Sequence, residues 1–245
     1  MEPQEGRVLA EIAEDYYKTT AARGHTANLG RYKKAAMALQ RRLQGWLPPP
    51  DARCLDLACG CGEMLFALEN VGCTHTAGVD LCFDELKEAK RFVKGDLVHG
   101  EILQFLKNTP DGEFDFVSAL NILEHLPKDT IVAVLREVRR VLAPGGVLIA
   151  MVPNAISPFG ALTRHWDFTH EWAFTPNNFR QLAILTGYQA VSFRECGPIA
   201  HGILSVIRYL AWSIIRGIIA IRLLIELADA KGGVYTMDML VKMDR

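Results

Sequence analysis

The sequence predicts an α/β fold, a doubly wound sheet of seven strands with helices on both faces. Short apolar segments alternate with amphipathic ones along most of the chain, and a glycine-rich turn follows the first apolar segment. A length of 245 residues lies in the range that one such domain fills with a large core. We therefore expect one domain with additions.

Strands and helices are predicted in alternation from residue 53 onward. The first strand, 53–58, ends in a Cys-Gly-Cys-Gly turn at 59–62, and a helix follows at 64–70. Further strand and helix pairs are predicted at 75–80 with 83–90, 92–95 with 101–107, and 114–120 with 130–142. An almost wholly apolar strand at 147–152, a helix at 176–186 stopped by Gly187, and strands at 188–194 and 234–242 complete the sheet.

The chain is expected to divide into a helical N-terminal lid at 1–50 and a main domain at 51–245. The lid is polar, is broken near Gly24 and Gly30, and ends in three consecutive prolines at 48–50. A helical appendage that covers a sheet edge explains this segment equally well. The main domain carries an apolar helical insertion at 198–230.

Composition limits the classes of partner and compartment. Lys and Arg total 27 against 28 for Asp and Glu, so the charge balance gives no reason to expect a nucleic-acid-binding protein. The six cysteines are not spaced as a disulfide framework, and residues 1–14 lack the continuous apolar core of a secretory signal. These features predict a cytoplasmic protein with reduced thiols.

The turn after the first strand is the predicted ligand site, because ligands bind beyond the carboxyl ends of strands in such sheets. Gly60 and Gly62 allow close approach of a ligand. Leu65 stands where a dinucleotide-binding motif has its third glycine, which disfavours a nicotinamide or flavin cofactor. Asp80, at the end of the second strand, can accept hydrogen bonds from ribose hydroxyls, or it can cap a turn. Asp96, placed after the third strand, can accept from an adenine amino group or serve as a cap.

The segment 55–62, Leu-Asp-Leu-Ala-Cys-Gly-Cys-Gly, resembles the first motif of class I S-adenosylmethionine-dependent methyltransferases. The later motifs of that family are matched by Asp80, Asp96, the Pro-Gly-Gly at 144–146 and the segment 121–126. The resemblance covers about residues 50–197 and implies a Rossmann-like methyltransferase fold, mostly parallel with an antiparallel seventh strand. It implies S-adenosylmethionine as cofactor and assigns its parts to the following residues: the methionine part to Asp56, Ala58, Gly60 and Gly62, the ribose to Asp80 and Leu81, the adenine to Asp96 and Leu97, and the sulfonium side to Asn121.

Methyl transfer to a hydroxyl requires a base, and histidine suits this task near neutral pH. The candidates are His125, after the fourth strand, and His170, after the fifth, with Asp167 as the residue that orients the base. A structural hydrogen-bonding role is the alternative for both histidines. Asp167 and Glu171 could hold a divalent cation, but pairing with Arg164 explains them equally, so no metal is predicted.

The segment 153–175 resembles that of bacterial methyltransferases linked to polysaccharide and lipid-linked sugar assembly. It implies O-methylation of a small or lipid-linked acceptor, a sugar in glycan biosynthesis. One alternative is a quinone or phenol O-methyltransferase. The other is a non-catalytic, cofactor-binding protein associated with the membrane.

The apolar insertion contains a stretch, 199–228, long enough to span a bilayer. Arg208, Arg216, Arg222 and Glu226 interrupt it, which favours a helix that lies in the membrane surface over one that crosses it. Packing on the domain or in a homodimer is the alternative. The predicted location is thus the cytoplasm, with peripheral contact to the inner face of the membrane left open.

Overall fold

The computed structural model describes residues 28–227 and 233–245. The predicted lid at 1–50 therefore falls partly outside the described residues, which begin one residue before the helix Leu29–Arg42. The described elements in chain order are α1 (Leu29–Arg42), β1 (Arg53–Leu57), α2 (Glu63–Asn70), β2 (His75–Asp80), α3 (Phe83–Ala89), β3 (Asp96–His99), α4 (Ile102–Asn108), β4 (Phe114–Leu120), a 3₁₀ turn (Leu123–His125), α5 (Lys128–Val141), β5 (Leu142–Pro153), α6 (Gly160–Arg164), α7 (Pro176–Thr186), β6 (Ala190–Glu195), α8 (Ile203–Leu227) and β7 (Asp238–Asp244).

The strands form one seven-stranded sheet in the order β3-β2-β1-β4-β5-β7-β6. The first five strands in the chain pair in parallel, whereas β7 runs antiparallel between β5 and β6. The doubly wound, mostly parallel fold is therefore confirmed. Strand order reverses at β1 and β4, so the ends of these two strands open the crevice in which such sheets bind ligands.

The predicted third strand is wrong. Residues 92–95 turn out of α3, and β3 begins only at Asp96. Phe92 and Val93 are apolar because they pack under the first helices: the Phe92 ring lies 4.7 Å from the ring of Tyr32, and Val93 is buried beside Leu65 and Leu86. The true strand is a sheet edge whose side chains are mostly exposed, so it lacks an apolar signal.

Helices cover both faces of the sheet around a large core. On one face α5 buries Ile131, Val134, Leu135 and Val138 against the sheet. On the other face Phe116, Ile149 and Leu240 pack with Leu43, which lies just after α1. All six cysteines fall among the described residues and are free thiols, as predicted.

Helix α1, the described part of the predicted lid, is fixed to the glycine-rich turn. The buried ring of Tyr32 packs against Phe66 and Phe92, and its hydroxyl donates to the carbonyl of Cys61. Arg31 also forms an ion pair with Glu63, at 2.9 Å. The helix therefore lies over the turn after β1, and its C-terminal end contacts the edge strand β6, where Arg194 donates to the Arg42 carbonyl at 2.7 Å.

Tyr32→Phe removes the hydroxyl and leaves the Cys61 carbonyl without this donor. We expect the free energy of unfolding to fall by about 1–2 kcal/mol, the cost of an unsatisfied buried acceptor. Tyr209→Phe is the matched control, because the ring of Tyr209 is half exposed. Equal urea midpoints for the two variants would contradict a role of Tyr32 in holding α1.

Candidate active site

A cavity of about 390 Å³ opens at the carboxyl ends of β1 and β4, beneath α1. Four of the predicted cofactor residues line it: Asp56, Ala58, Gly60 and Asn121. Helix α1 contributes Arg31 and Arg42 to the opposite wall. The structure therefore brings three of the four predicted methionine-side residues together with Asn121, and it places α1 over them. The other predicted cofactor residues do not line this cavity: Gly62, Asp80, Leu81, Asp96 and Leu97.

Two non-glycine residues at this cavity have left-handed backbone conformations. They are Ala58, with φ 51°, and Asn121, with φ 55°, and they follow the ends of β1 and β4. Such a conformation costs about 1–2 kcal/mol for a residue with a Cβ. Strain of this kind accumulates at ligand sites, where the surrounding structure holds the backbone in place.

The two predicted glycines have different roles. A Cβ on Gly60, with φ +52°, would lie 3.2 Å from a carboxylate oxygen of Glu85, so this glycine keeps the cavity open. A Cβ on Gly62, with φ +82°, would lie 2.7 Å from Val93 Cγ2. Gly62 precedes α2 and allows that helix to pack closely on the turn after α3, so it acts through packing.

Asp56 is a buried carboxylate, 3% exposed, on β1. It accepts a hydrogen bond of 2.6 Å from the Ser118 hydroxyl on β4. Burial raises the pKa of Asp56 to about 7, although the hydrogen bond from Ser118 lowers it. Near neutral pH the carboxyl is poised between its two forms, so a cation at the cavity favours the ionised one.

Asp80 joins the turns after β1 and β2. One carboxylate oxygen accepts from the Gly60 amide at 2.8 Å and the other from the Cys82 amide at 2.7 Å. The side chain is 8% exposed, and burial raises its pKa against these two hydrogen bonds. Both functions weighed for Asp80 are compatible, since each carboxylate oxygen retains a lone pair for a ribose hydroxyl.

The predicted position of Asp96 after the third strand is wrong. Asp96 is the first residue of β3 and pairs with Ala77, whereas the ligand edge lies at the other end, where His99 pairs with Asp80. Asp96 and Leu97 therefore lie away from the carboxyl edge and cannot line an adenine site there. The residue beside Asp80 at that edge is His99. Its Nε2 lies 2.9 Å from the carbonyl oxygen of Leu81, and the Leu81 side chain is exposed.

Glu85 was missed by the sequence argument. It lies on α3, lines the cavity beside Gly60, and burial raises its pKa to about 7. A second acidic group therefore faces the same space as Asp56. One acid in a helix gives no sequence signal, because its position over the turn depends on how α3 packs.

The acceptor side is built where the loop 154–175 folds back on the sheet. Asn154 forms an isolated bridge with Phe174, which closes the loop, and the amides of Glu171 and Trp172 donate to the carbonyl of Glu124. These contacts bring His170 to His125, with ring centroids 4.6 Å apart at 76°. The structure thus joins the two predicted candidate bases in one pair.

Asp167 reaches His125 through Thr169. The Thr169 hydroxyl donates to Asp167 Oδ1 at 2.7 Å, and His125 Nδ1 lies 2.7 Å from the same hydroxyl oxygen. His170 Nδ1 lies 2.9 Å from the carbonyl of Thr163. The pairing of Asp167 with His170, one arrangement the sequence suggested, is thus replaced by a chain from Asp167 to His125.

Glu124 is the other residue that the sequence argument missed. It is 1% exposed, its Oε2 has no hydrogen-bond partner among the described residues, and burial raises its pKa to about 8. A carboxylate oxygen of Glu124 and one ring nitrogen from each of His125 and His170 lie within 4.8 Å of one another. Such a donor set could hold a metal, whose binding would have to displace the proton that burial favours on Glu124.

Comparison with known proteins identifies the family. The methyltransferase domain family matches residues 29–192. The chain belongs to this family. A solved S-adenosylmethionine-dependent methyltransferase from Archaeoglobus fulgidus superposes with a TM-score of 0.65 at 20% identity, over 88% of this chain and 96% of that one.

Curated relatives match over shorter stretches. The 27-O-demethylrifamycin SV methyltransferase of Amycolatopsis mediterranei is 31% identical over 122 residues, 47% of this chain and 44% of the relative. A demethylmenaquinone methyltransferase of Listeria monocytogenes is 28% identical, over 58% of this chain and 59% of the relative. The ubiquinone biosynthesis O-methyltransferase of Xanthomonas campestris is 31% identical, over 43% and 44%. This chain thus spans about half the length of the curated relatives it matches.

The cavity fits S-adenosylmethionine, the cofactor that the name of the solved Archaeoglobus fulgidus neighbour gives. S-adenosylmethionine supplies a methyl group that its positively charged sulfur already activates. The strained Ala58 and Asn121 backbones and the space left by Gly60 form a cradle at the strand ends. The buried Asp56 and the carboxyl of Glu85 supply acceptors for the cationic groups of the cofactor, and Arg31 and Arg42 on the opposite wall supply donors for its carboxylate.

Asp80→Asn should weaken S-adenosylmethionine binding by at least about tenfold, because an amide cannot accept from both backbone amides that the carboxylate now holds. Asp96→Asn is the control. It changes the same chemical group at the opposite end of the neighbouring strand pair and should leave affinity unchanged in isothermal titration calorimetry. If Asp96→Asn instead weakened cofactor binding more than Asp80→Asn, the assignment of Asp96 to the adenine would be restored.

Cofactor affinity should fall as the pH is lowered below about 7. A cationic ligand favours ionised Asp56, whose pKa is raised to about 7 by burial, so the proton must be released before binding. The loss approaches tenfold per pH unit for one such group. Asp56→Asn and Glu85→Gln should each flatten the profile, and an unchanged slope in both variants would contradict this linkage.

Proposed function

We propose that this methyltransferase transfers the methyl group to a phenolic hydroxyl of an aromatic acceptor, with His125 as the base. The hydrogen-bond chain from Asp167 through Thr169 to His125 carries this proposal. It supplies the one group that O-methylation needs and that the cofactor does not bring, an oriented proton acceptor.

The chain of hydrogen bonds determines the tautomer of His125. The proton of the Thr169 hydroxyl points to Asp167, because a carboxylate only accepts. The hydroxyl oxygen of Thr169 is then an acceptor, so His125 Nδ1 carries the proton that it donates. His125 Nε2 is left as the basic nitrogen, which is the arrangement that a general base requires.

Burial keeps His125 neutral across the physiological range. Desolvation and then the nearby His170 lower its pKa to about 4. A buried imidazole of this kind is unprotonated before the reaction. It takes the hydroxyl proton as the new carbon–oxygen bond forms, and Asp167 stabilises the resulting imidazolium through Thr169.

The loop that carries His170 also carries exposed aromatic side chains that suit a flat, apolar acceptor. Trp166 and Phe168, on the same loop, are 72% and 89% exposed. Such faces can stack on an aromatic ring. The names of the relatives refer to quinones and to rifamycin, whereas none of the three refers to a sugar. We therefore favour the phenol alternative over the sugar acceptor that the narrower resemblance implied.

The acceptor class is tested by methyl transfer from labelled S-adenosylmethionine. The purified chain is incubated with a demethylated quinol, with simple catechols and with free and nucleotide-linked sugars. We expect label in the aromatic acceptors, as an O-methyl ether identified by NMR. Label only in the sugars, or on ring carbon, would contradict the proposal while leaving methyltransferase activity intact.

The role of the Thr169 hydroxyl is tested by Thr169→Val, which keeps the side-chain shape. We expect turnover to fall by about tenfold or more with little change in cofactor affinity, and His125→Ala to lower it by about a hundredfold. Thr163→Val is the matched control, because the Thr163 hydroxyl donates to the Gly160 carbonyl and lies outside the chain from Asp167 to His125. Wild-type turnover in Thr169→Val would exclude the chain from the mechanism.

A further inference from the structure

Helix α8 is the element that the methyl-transfer site leaves unexplained. It is inserted between β6 and β7, and its Ile203–Glu226 part is long and apolar enough to cross a membrane. Six residues at helical spacing form what we call the outward stripe: Ile207, Leu210, Ile214, Ile218, Ile221 and Ile225. Each is more than half exposed. An apolar surface this long is unusual on a soluble enzyme.

The opposite side of α8 is held by the domain. Trp212 Nε1 donates to Glu195 Oε2 at 3.1 Å, and Arg216 lies 3.6 Å from the other carboxylate oxygen. Glu195 is the last residue of β6, so these contacts fix the middle of the helix to the sheet. The stripe therefore faces away from the domain.

While these two contacts are in place, α8 cannot cross the bilayer. Arg216 lies near the centre of α8, so a crossing would bring Glu195 and the neighbouring sheet edge to the middle of the hydrocarbon layer. The open edge of β6 would then have unpaired backbone groups in lipid, which is strongly unfavourable. A helix that lies flat, with the domain above it, satisfies both the contacts and the exposed stripe.

Two arginines flank the stripe, and one of them, Arg222, lies 3.5 Å from Glu226. Arg208 and Arg222 each directly follow a stripe residue, so they lie at its flank, where long side chains reach the headgroup level. Beside α8 is a cavity of about 650 Å³ lined by Arg41, Arg42, Arg194 and Arg216, with Glu195 as its acidic residue. Headgroups that complement this charge are anionic.

We propose that α8 docks this methyltransferase on a membrane surface that contains anionic phospholipid, with the outward stripe in the acyl-chain boundary and the arginines at the headgroups. Arg42 lines both the cavity beside α8 and the cavity beneath α1. The docked face thus adjoins the cofactor cavity. This docking does not depend on which acceptor the protein methylates.

The test is sedimentation of the full chain with vesicles of phosphatidylcholine, alone or mixed with phosphatidylglycerol. We expect binding to the mixed vesicles that weakens in high salt. The double variant Ile214→Asp, Ile218→Asp should reduce binding by about a hundredfold, because it removes two buried isoleucines from the lipid contact. Ile184→Asp is the control, since Ile184 is 84% exposed on α7 and outside the stripe.

Both aspartate variants change exposed residues, so circular dichroism and cofactor affinity should remain those of the wild type. Arg208→Gln with Arg222→Gln should weaken binding to the anionic vesicles only. Failure of the wild-type chain to sediment with either vesicle would overturn the proposal. If it then elutes as a dimer that the stripe variant dissociates, a second copy of the chain covers the stripe instead.

Discussion

The carboxylate of Asp80 is the point at which the two halves of the cofactor crevice are joined. By holding the amides of Gly60 and Cys82, it fixes the turns after β1 and β2 in one arrangement. Those turns begin α2 and α3, which carry the remaining walls of the cavity. Since burial raises the energy of this charge, the two short hydrogen bonds are what make the ionised form tolerable, and the site depends on them.

The cofactor half of the site was largely readable from sequence because local chemistry determines it. Glycines at 60 and 62 and a carboxylate at the end of β2 act over a few residues. The structure places Gly60 at the cavity, Gly62 at a helix contact and Asp80 across the two turns. Asp96 failed for a physical reason. An apolar pair, Phe92 and Val93, packs as a buried turn, whereas the edge strand β3 is too exposed to show a strand pattern.

The acceptor half could be named from sequence but not assembled. His125 and His170 meet only because Asn154 bridges to Phe174 and because the Glu124 carbonyl accepts two amides from the returning loop. Such contacts join residues tens of positions apart and have no periodicity. The same reason explains why Glu124 and Glu85 were missed, since one carboxyl in a sequence gives no sign that packing will bury it.

Helix α8 shows the converse case, in which the sequence pattern is strong and its meaning depends on the rest of the fold. Apolar length alone allows a bilayer span, a core helix or a surface helix. The exposed stripe shows that α8 is not a core helix of this chain. Our proposal that it lies flat rests on one carboxylate, Glu195, which contacts Trp212 and Arg216 in the middle of the helix and not at its end.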